Sequence, residues 1–154
     1  MIGLWDRDFA LADFDLDLFL PYLLNQAAEA TSEAFQVKYR VEYGMTQTQW
    51  RILANLGKRG EMTAVEICRR TYIDKTKVSR AVLALEAAGM LVRGIVAGDR
   101  RQENLTLTKA GQEVFSVLGQ RALAFDRALR DRLGAQQAKM LADVLRGLAA
   151  AVVP

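Results

Sequence analysis

Between Asp74 and Arg80 the chain reads Asp-Lys-Thr-Lys-Val-Ser-Arg, which sets three cations and two hydroxyls within seven residues. If this stretch is helical, each residue is rotated by about 100° from the last. Val78, Val82 and Leu85 then define one side, and Thr76, Lys77, Arg80, Ala84 and Ala87 the opposite one. The polar and basic members all fall in the first half. Such an arrangement suits a helix that enters a DNA major groove N-terminus first, its positive dipole end toward phosphate. Arg80 could fork onto a guanine and Thr76 could take a base edge or a phosphate, while the small Ala84 and Ala87 let the helix lie close. In isolation, the same stripe also fits a helix whose basic side is simply hydrated.

A second basic group, Asp99-Arg100-Arg101, lies at the tip of a stretch that reads as two strands. Arginines at the end of such a ribbon, beside the helix, would face an adjacent minor groove, whose narrow walls concentrate negative potential. Asp99 would orient one of them through a carboxylate–guanidinium pair.

Catalytic and metal chemistry have little to work with. The 154 residues contain no histidine and one cysteine, which removes the commonest metal ligand, the commonest general base and any intramolecular disulfide. No carboxylates pair in a cleft-like pattern, so neither an enzyme, nor a metal site, nor a cofactor is expected. With 51% hydrophobic and 25% charged residues, the composition is that of a soluble globular chain. No apolar run approaches the ~18 residues of a membrane span. The acidic start, Met1-Ile-Gly-Leu-Trp-Asp-Arg-Asp, lacks signal-peptide features. A cytoplasmic location with no membrane partner is therefore expected. The net charge of +3 is unevenly spread. Residues 1–43 carry three basic and eight acidic side chains, residues 44–109 twelve and six, and residues 110–154 six and four. The positive excess thus coincides with the two basic groups.

The elements that must position these groups follow from periodicity and caps. Leu4 to Asp17 interleaves apolar residues with aspartates without a clean period and reads as an irregular arm with room for one helical turn. A long helix is expected from about Leu18, with Pro21 in its first turn and Gly44 at its end. Thr46-Gln-Thr-Gln49 and Thr63-Ala-Val-Glu66 fit capping boxes. The first opens a helix stopped by Gly57-Lys-Arg-Gly60; the second opens a short helix to Arg70 that buries Val65, Ile67 or Cys68. Asp74 caps a helix from Lys75 to about Ala88, and Gly89 follows as its terminator. Residues 90–96 and 104–108 read as strands joined by a loop with turn chemistry at Gly98-Asp99. Thr108 caps a long helix with Arg121, Arg127, Arg130 and Arg132 outside. Gly134 breaks it, and a last helix runs from Gln136 to about Ala150. The fold class is mainly α with a small β-wing. A winged helix-turn-helix lobe spans residues 45–108, flanked by an N-terminal arm and helix at 1–44 and C-terminal helices at 109–154.

This order of elements resembles the MarR (multiple-antibiotic-resistance regulator) family of winged-helix transcription factors. Two stretches carry the resemblance. One is Asp99-Arg-Arg-Gln-Glu-Asn-Leu-Thr106-Leu-Thr-Lys-Ala-Gly111, an Asp-x-Arg wing followed by Leu-Thr-x-x-Gly; the other is Asp74 to Arg80, followed by Leu83-x-x-Glu86-x-x-Gly89. The resemblance implies a regulator that binds double-stranded DNA. Arg101 then enters the minor groove with Arg100 beside it, and Asp99 braces the wing. Thr76, Lys77, Ser79 and Arg80 match positions that face the major groove or its phosphates. Lys75 lies nearer the buried side of the wheel and is expected to reach phosphate only.

The resemblance further implies a homodimer joined by its N- and C-terminal helices, acting as a repressor on a pseudo-palindromic operator. Surplus apolar residues at both chain ends independently suggest a partner: Ile2, Leu4, Trp5, Phe9, Leu11 and Phe14, and Leu141, Val144, Leu145, Leu148, Val152 and Val153. An arm folded back on its own subunit is the rival arrangement. Many relatives release DNA when a small aromatic or phenolic anion binds between the dimerisation helices and the DNA-binding lobe. Here that region would fall near Phe35, Tyr39, Arg40, Tyr43, Met45, Trp50 and Phe115, although plain core explains the same aromatics. Cys68 reads as a small buried hydrophobe. The competing function is a winged-helix module that binds protein rather than specific DNA, which would show little salt dependence.

Overall fold

The computed structural model describes the backbone of residues 14–96 and 99–152, and the side chains of these residues other than 96–102 and 152. The chain divides into two compact units, Met1–Val37 and Lys38–Pro154. Expectations for Ile2 to Leu11 of the arm, for Gly98 in the wing turn, for the side chains of Asp99, Arg100, Arg101 and Val152, and for Val153 lie outside the described residues.

In the first unit the Asp15 carboxylate accepts the Asp17 amide at 2.9 Å and caps a 3-10 turn, Leu16–Leu18. The first long helix, α1 (Leu20–Tyr43), starts after Phe19, two residues later than expected. The capped turn and the extended backbone of Phe19 hold the preceding residues out of the helix. Pro21 sits in the first turn, where its missing N–H costs nothing. Phe14 meets Phe19 edge to face at 5.5 Å. Leu20, Leu23 and Val37 on α1 are all exposed.

The second unit contains the remainder of α1, then α2 (Gln47–Arg59), β1 (Met62–Thr63), α3 (Ala64–Thr71), α4 (Lys75–Ala87), β2 (Leu91–Val96), β3 (Asp99–Leu107), α5 (Lys109–Leu133) and α6 (Ala135–Val152). Both capping boxes form. Thr46 accepts the Gln49 amide at 3.2 Å while Gln49 returns to the Thr46 amide at 2.8 Å; Thr63 and Glu66 repeat the exchange. Ile52, Leu53, Leu56, Ile67, Leu85 and Leu91 are essentially sealed from solvent and make the centre of the core. Of the three candidates on α3, Ile67 is buried, Cys68 is half-buried and Val65 points out at 73% exposure, since the short helix presents only one narrow side to the core.

Residues 57–60 end α2 as expected, and within them Gly60 is the residue that does so. The helix runs on to Arg59, and Gly60, at φ 86°, caps it by donating its amide to the Leu56 carbonyl. Gly57 is required for a different reason: a β-carbon there would lie 2.3 Å from the Phe115 ring, so its absence lets α5 close on α2.

The sheet has the order β1-β3-β2, all antiparallel. The two-residue β1 escaped the sequence reading because a strand that short leaves no periodicity. It pairs Met62 with Leu105 and Thr63 with Asn104, tying the wing to the helical lobe. The register of β2 on β3 is regular from Leu91↔Leu107 to Ile95↔Glu103, then jumps to Val96↔Asp99. β3 thus begins earlier than expected. At its other end Thr108 donates its hydroxyl to the Gly89 carbonyl at 2.6 Å and accepts the Gly111 amide at 3.1 Å. Gly111 explains the last position of the Leu-Thr-x-x-Gly pattern: a β-carbon there would fall 2.0 Å from the Met90 carbonyl oxygen.

Candidate nucleic-acid interface

Helix α4 is built as a two-sided element. Val78, Ala81, Val82 and Leu85 are buried, whereas Lys75, Thr76, Lys77, Ser79, Arg80, Ala84 and Ala87 face solvent. Lys75 is as free as its neighbours, because in the first turn the wheel position matters less than the open end of the helix. Asp74 caps α4 by accepting the Lys77 amide at 2.9 Å. That backbone hydrogen bond, aided by the Lys77 charge, holds the Asp74 carboxyl below its usual range. The Lys77 ammonium lies 3.5 Å from the same carboxylate in an exposed pair, a weak tether that leaves it available to a stronger anion.

Tertiary packing adds residues that the sequence did not single out. Thr46, Thr48 and Gln49 from the start of α2 and Lys77, Arg80 and Ala81 from α4 line an open groove of about 220 Å³. The amino end of α2 and two cations of α4 thus face one concavity, an arrangement that suits an anionic oxygen. Thr46 and Gln49 were legible only as a helix cap. Their proximity to Arg80 comes from the packing of α2 on α4, which no local pattern announces.

The wing is locked to α4 by Arg93 on β2. Its Nε donates to Glu86 at 3.0 Å and its Nη1 to Glu103 on β3 at 2.9 Å. The Glu103 hydrogen bond, with Glu86 in support, raises the guanidinium pKa further. Asn104 adds a hydrogen bond to Glu61, just ahead of β1. The wing-tip residues Asp99, Arg100 and Arg101 belong to the backbone of β3.

The aromatic candidates divide between the two units. Phe35 belongs to the first and is half-buried. In the second unit Tyr39 is in the core at 1% exposure, stacked on Trp50 with ring centroids 6.1 Å apart, and burial raises its hydroxyl pKa. Arg40 is exposed, Tyr43 half-buried and Met45 buried, while Phe115 covers Gly57. Arg121, expected outside, turns inward instead. It donates to the Lys38 carbonyl at 2.8 Å and to the Glu42 carboxylate, and lies 6.0 Å from the Tyr43 ring. The Glu42 carboxylate and the negative end of the α1 dipole attract a cation, which explains the turn inward. Among the described residues no group of acidic or thiol side chains could hold a metal ion, and no helix is long and apolar enough to cross a membrane.

A three-helix lobe with an exposed basic third helix and an antiparallel wing defines a winged helix-turn-helix protein. Comparison with known proteins places it more narrowly. The MarR family profile matches residues 43–102. The HTH-type transcriptional regulator FarR of Neisseria gonorrhoeae is 28% identical over 126 residues, 82% of this chain and 86% of its own length. A MarR family regulator from Silicibacter pomeroyi has the same fold, with a TM-score of 0.80 and 26% identity over 92% of this chain and all of its own. NadR, solved with 4-hydroxyphenylacetate, superposes with a TM-score of 0.72 and 28% identity, covering 82% of this chain and 89% of its own. In profile, relatives and fold, the chain is thus similar to transcriptional regulators of the MarR family.

Proposed function

We propose that the protein is a homodimeric repressor that occupies a pseudo-palindromic operator and leaves it when a small aromatic or phenolic acid binds. The observation that carries the DNA half is α4 itself. Its whole inner side is core, and its outer side presents Thr76, Lys77, Ser79 and Arg80 next to the groove at the start of α2. Arg80 and Thr76 read base edges, Lys77, Ser79 and Lys75 hold phosphates, and Arg100 and Arg101 serve the minor groove with Asp99 as their brace. Residues 45–108 act as the reading lobe, and residues 1–44 and 109–154 as the dimerisation helices. Exposed apolar side chains on α1 and on α6, among them Val41, Met140, Leu141 and Val144, support a second copy. Twofold symmetry then sets half-sites about one turn of duplex apart. The effector class is supported by NadR, whose solved form holds 4-hydroxyphenylacetate.

The test is fluorescence anisotropy on the intergenic DNA beside the coding sequence, over a salt series and with a panel of aromatic acids that includes 4-hydroxyphenylacetate. Affinity should fall steeply with salt, Lys77→Ala should lower the salt slope by about one unit, and Arg101→Ala should weaken binding by roughly 1–3 kcal/mol. An affinity that is flat in salt would overturn the DNA reading. If no acid in the panel releases the DNA, the effector class is wrong while the DNA reading stands.

A further inference from the structure

Among the described residues Tyr72 is the one non-glycine with a left-handed backbone, φ 54° and ψ 28°. It is the residue after α3, where glycine or asparagine ends a helix without crowding a β-carbon. An aromatic side chain there carries a conformational cost. Packing does not repay it, because the residue is 72% exposed. Its place in the fold is specific: the turn of the helix-turn-helix, two residues ahead of the Asp74 cap and three ahead of Lys75. Arg69 and Arg70, both exposed, lead into it from the last turn of α3. A rigid, amphipathic side chain is therefore held out at the basic corner that precedes the reading helix.

We propose that the Tyr72 hydroxyl donates a hydrogen bond to a phosphate of the DNA backbone, at the rim of the groove that α4 enters. The inference rests on the DNA-binding reading above. A phenol is neutral, so this contact displaces no condensed counterion. It fixes how the helix-turn-helix sits on the duplex, adds affinity for any sequence, and leaves the salt dependence untouched, unlike a contact from Lys77.

Tyr72→Phe and Tyr72→Gly in the full chain, measured on the operator and on a scrambled duplex across a salt series, test it, with thermal melts alongside. Tyr72→Phe should weaken both duplexes roughly tenfold, the weight of a hydrogen bond to a charged acceptor, with the salt slope unchanged. Tyr72→Gly should weaken them at least as much while its melting temperature holds or rises, because the left-handed backbone is relieved. Parental affinity in Tyr72→Phe overturns the proposal, and so does a slope reduced by a unit, which marks a lost cation contact instead. Failure of the unmodified protein to bind any duplex would be seen separately, in the parent, and would remove the DNA reading on which the proposal rests.

Discussion

Single residues of this chain are held by neighbours that local patterning does not reveal. Thr76, Lys77 and Arg80 could be placed from sequence because the apolar stripe fixes the opposite side of α4, whereas Ser79 was named by the family resemblance alone. Arg93 and Arg121 could not: their carboxylate and carbonyl partners come from other elements, seven to 83 residues away. Gly111 belongs to the same class, since only the fold shows the Met90 carbonyl against it. Gly111→Ala should destabilise the protein by about 1–3 kcal/mol, because backbone rather than a yielding side chain must move. A thermal melt of the variant, compared with Gly119→Ala, where nothing lies within reach of a new β-carbon, checks this.

Helices and their capped starts proved legible, and strands less so. The capping boxes at Thr46 and Thr63 and the caps at Asp74 and Thr108 form as spelled, because each is a contract between residues three apart. β1 and the early start of β3 depend on pairing between distant segments and left no trace in periodicity. Thr63→Ala should cost about 1 kcal/mol of unfolding free energy. The caps also predict how stability responds to acid. The Glu66 carboxyl is held low by the Thr63 amide, and Asp74 by the Lys77 amide. Their contribution is therefore complete above the ordinary carboxylate range and is lost as pH falls through the lowered values. Stability should stay level on this account from neutrality to about pH 5 and decline below about pH 4. Asp74→Asn, which keeps a capping oxygen but does not titrate, should flatten part of that decline in melts between those values. The Arg93 brace predicts a different split: Arg93→Met should weaken DNA binding more than it lowers the melting temperature, since it frees the wing while the core is unaffected.

At the scale of the molecule, the surplus of apolar surface on α6 was legible in the sequence, because a lobe this small cannot cover it, whereas the exposed apolar residues of α1 were not singled out there. Val144→Asp on α6 should shift the protein to a monomer in light scattering and weaken operator binding together, as expected if two copies must read two half-sites. The charge partition carried similar weight: the excess on residues 44–109 lies on the lobe that holds α4 and the wing. Thr108 has a further mechanical meaning. One hydroxyl group closes the exit of α4 at Gly89 and opens α5 at Gly111, while its own amide bonds the Met90 carbonyl. The end of α4 and the start of the long helix that follows the wing are therefore fastened at one residue, although the whole wing separates them in the chain.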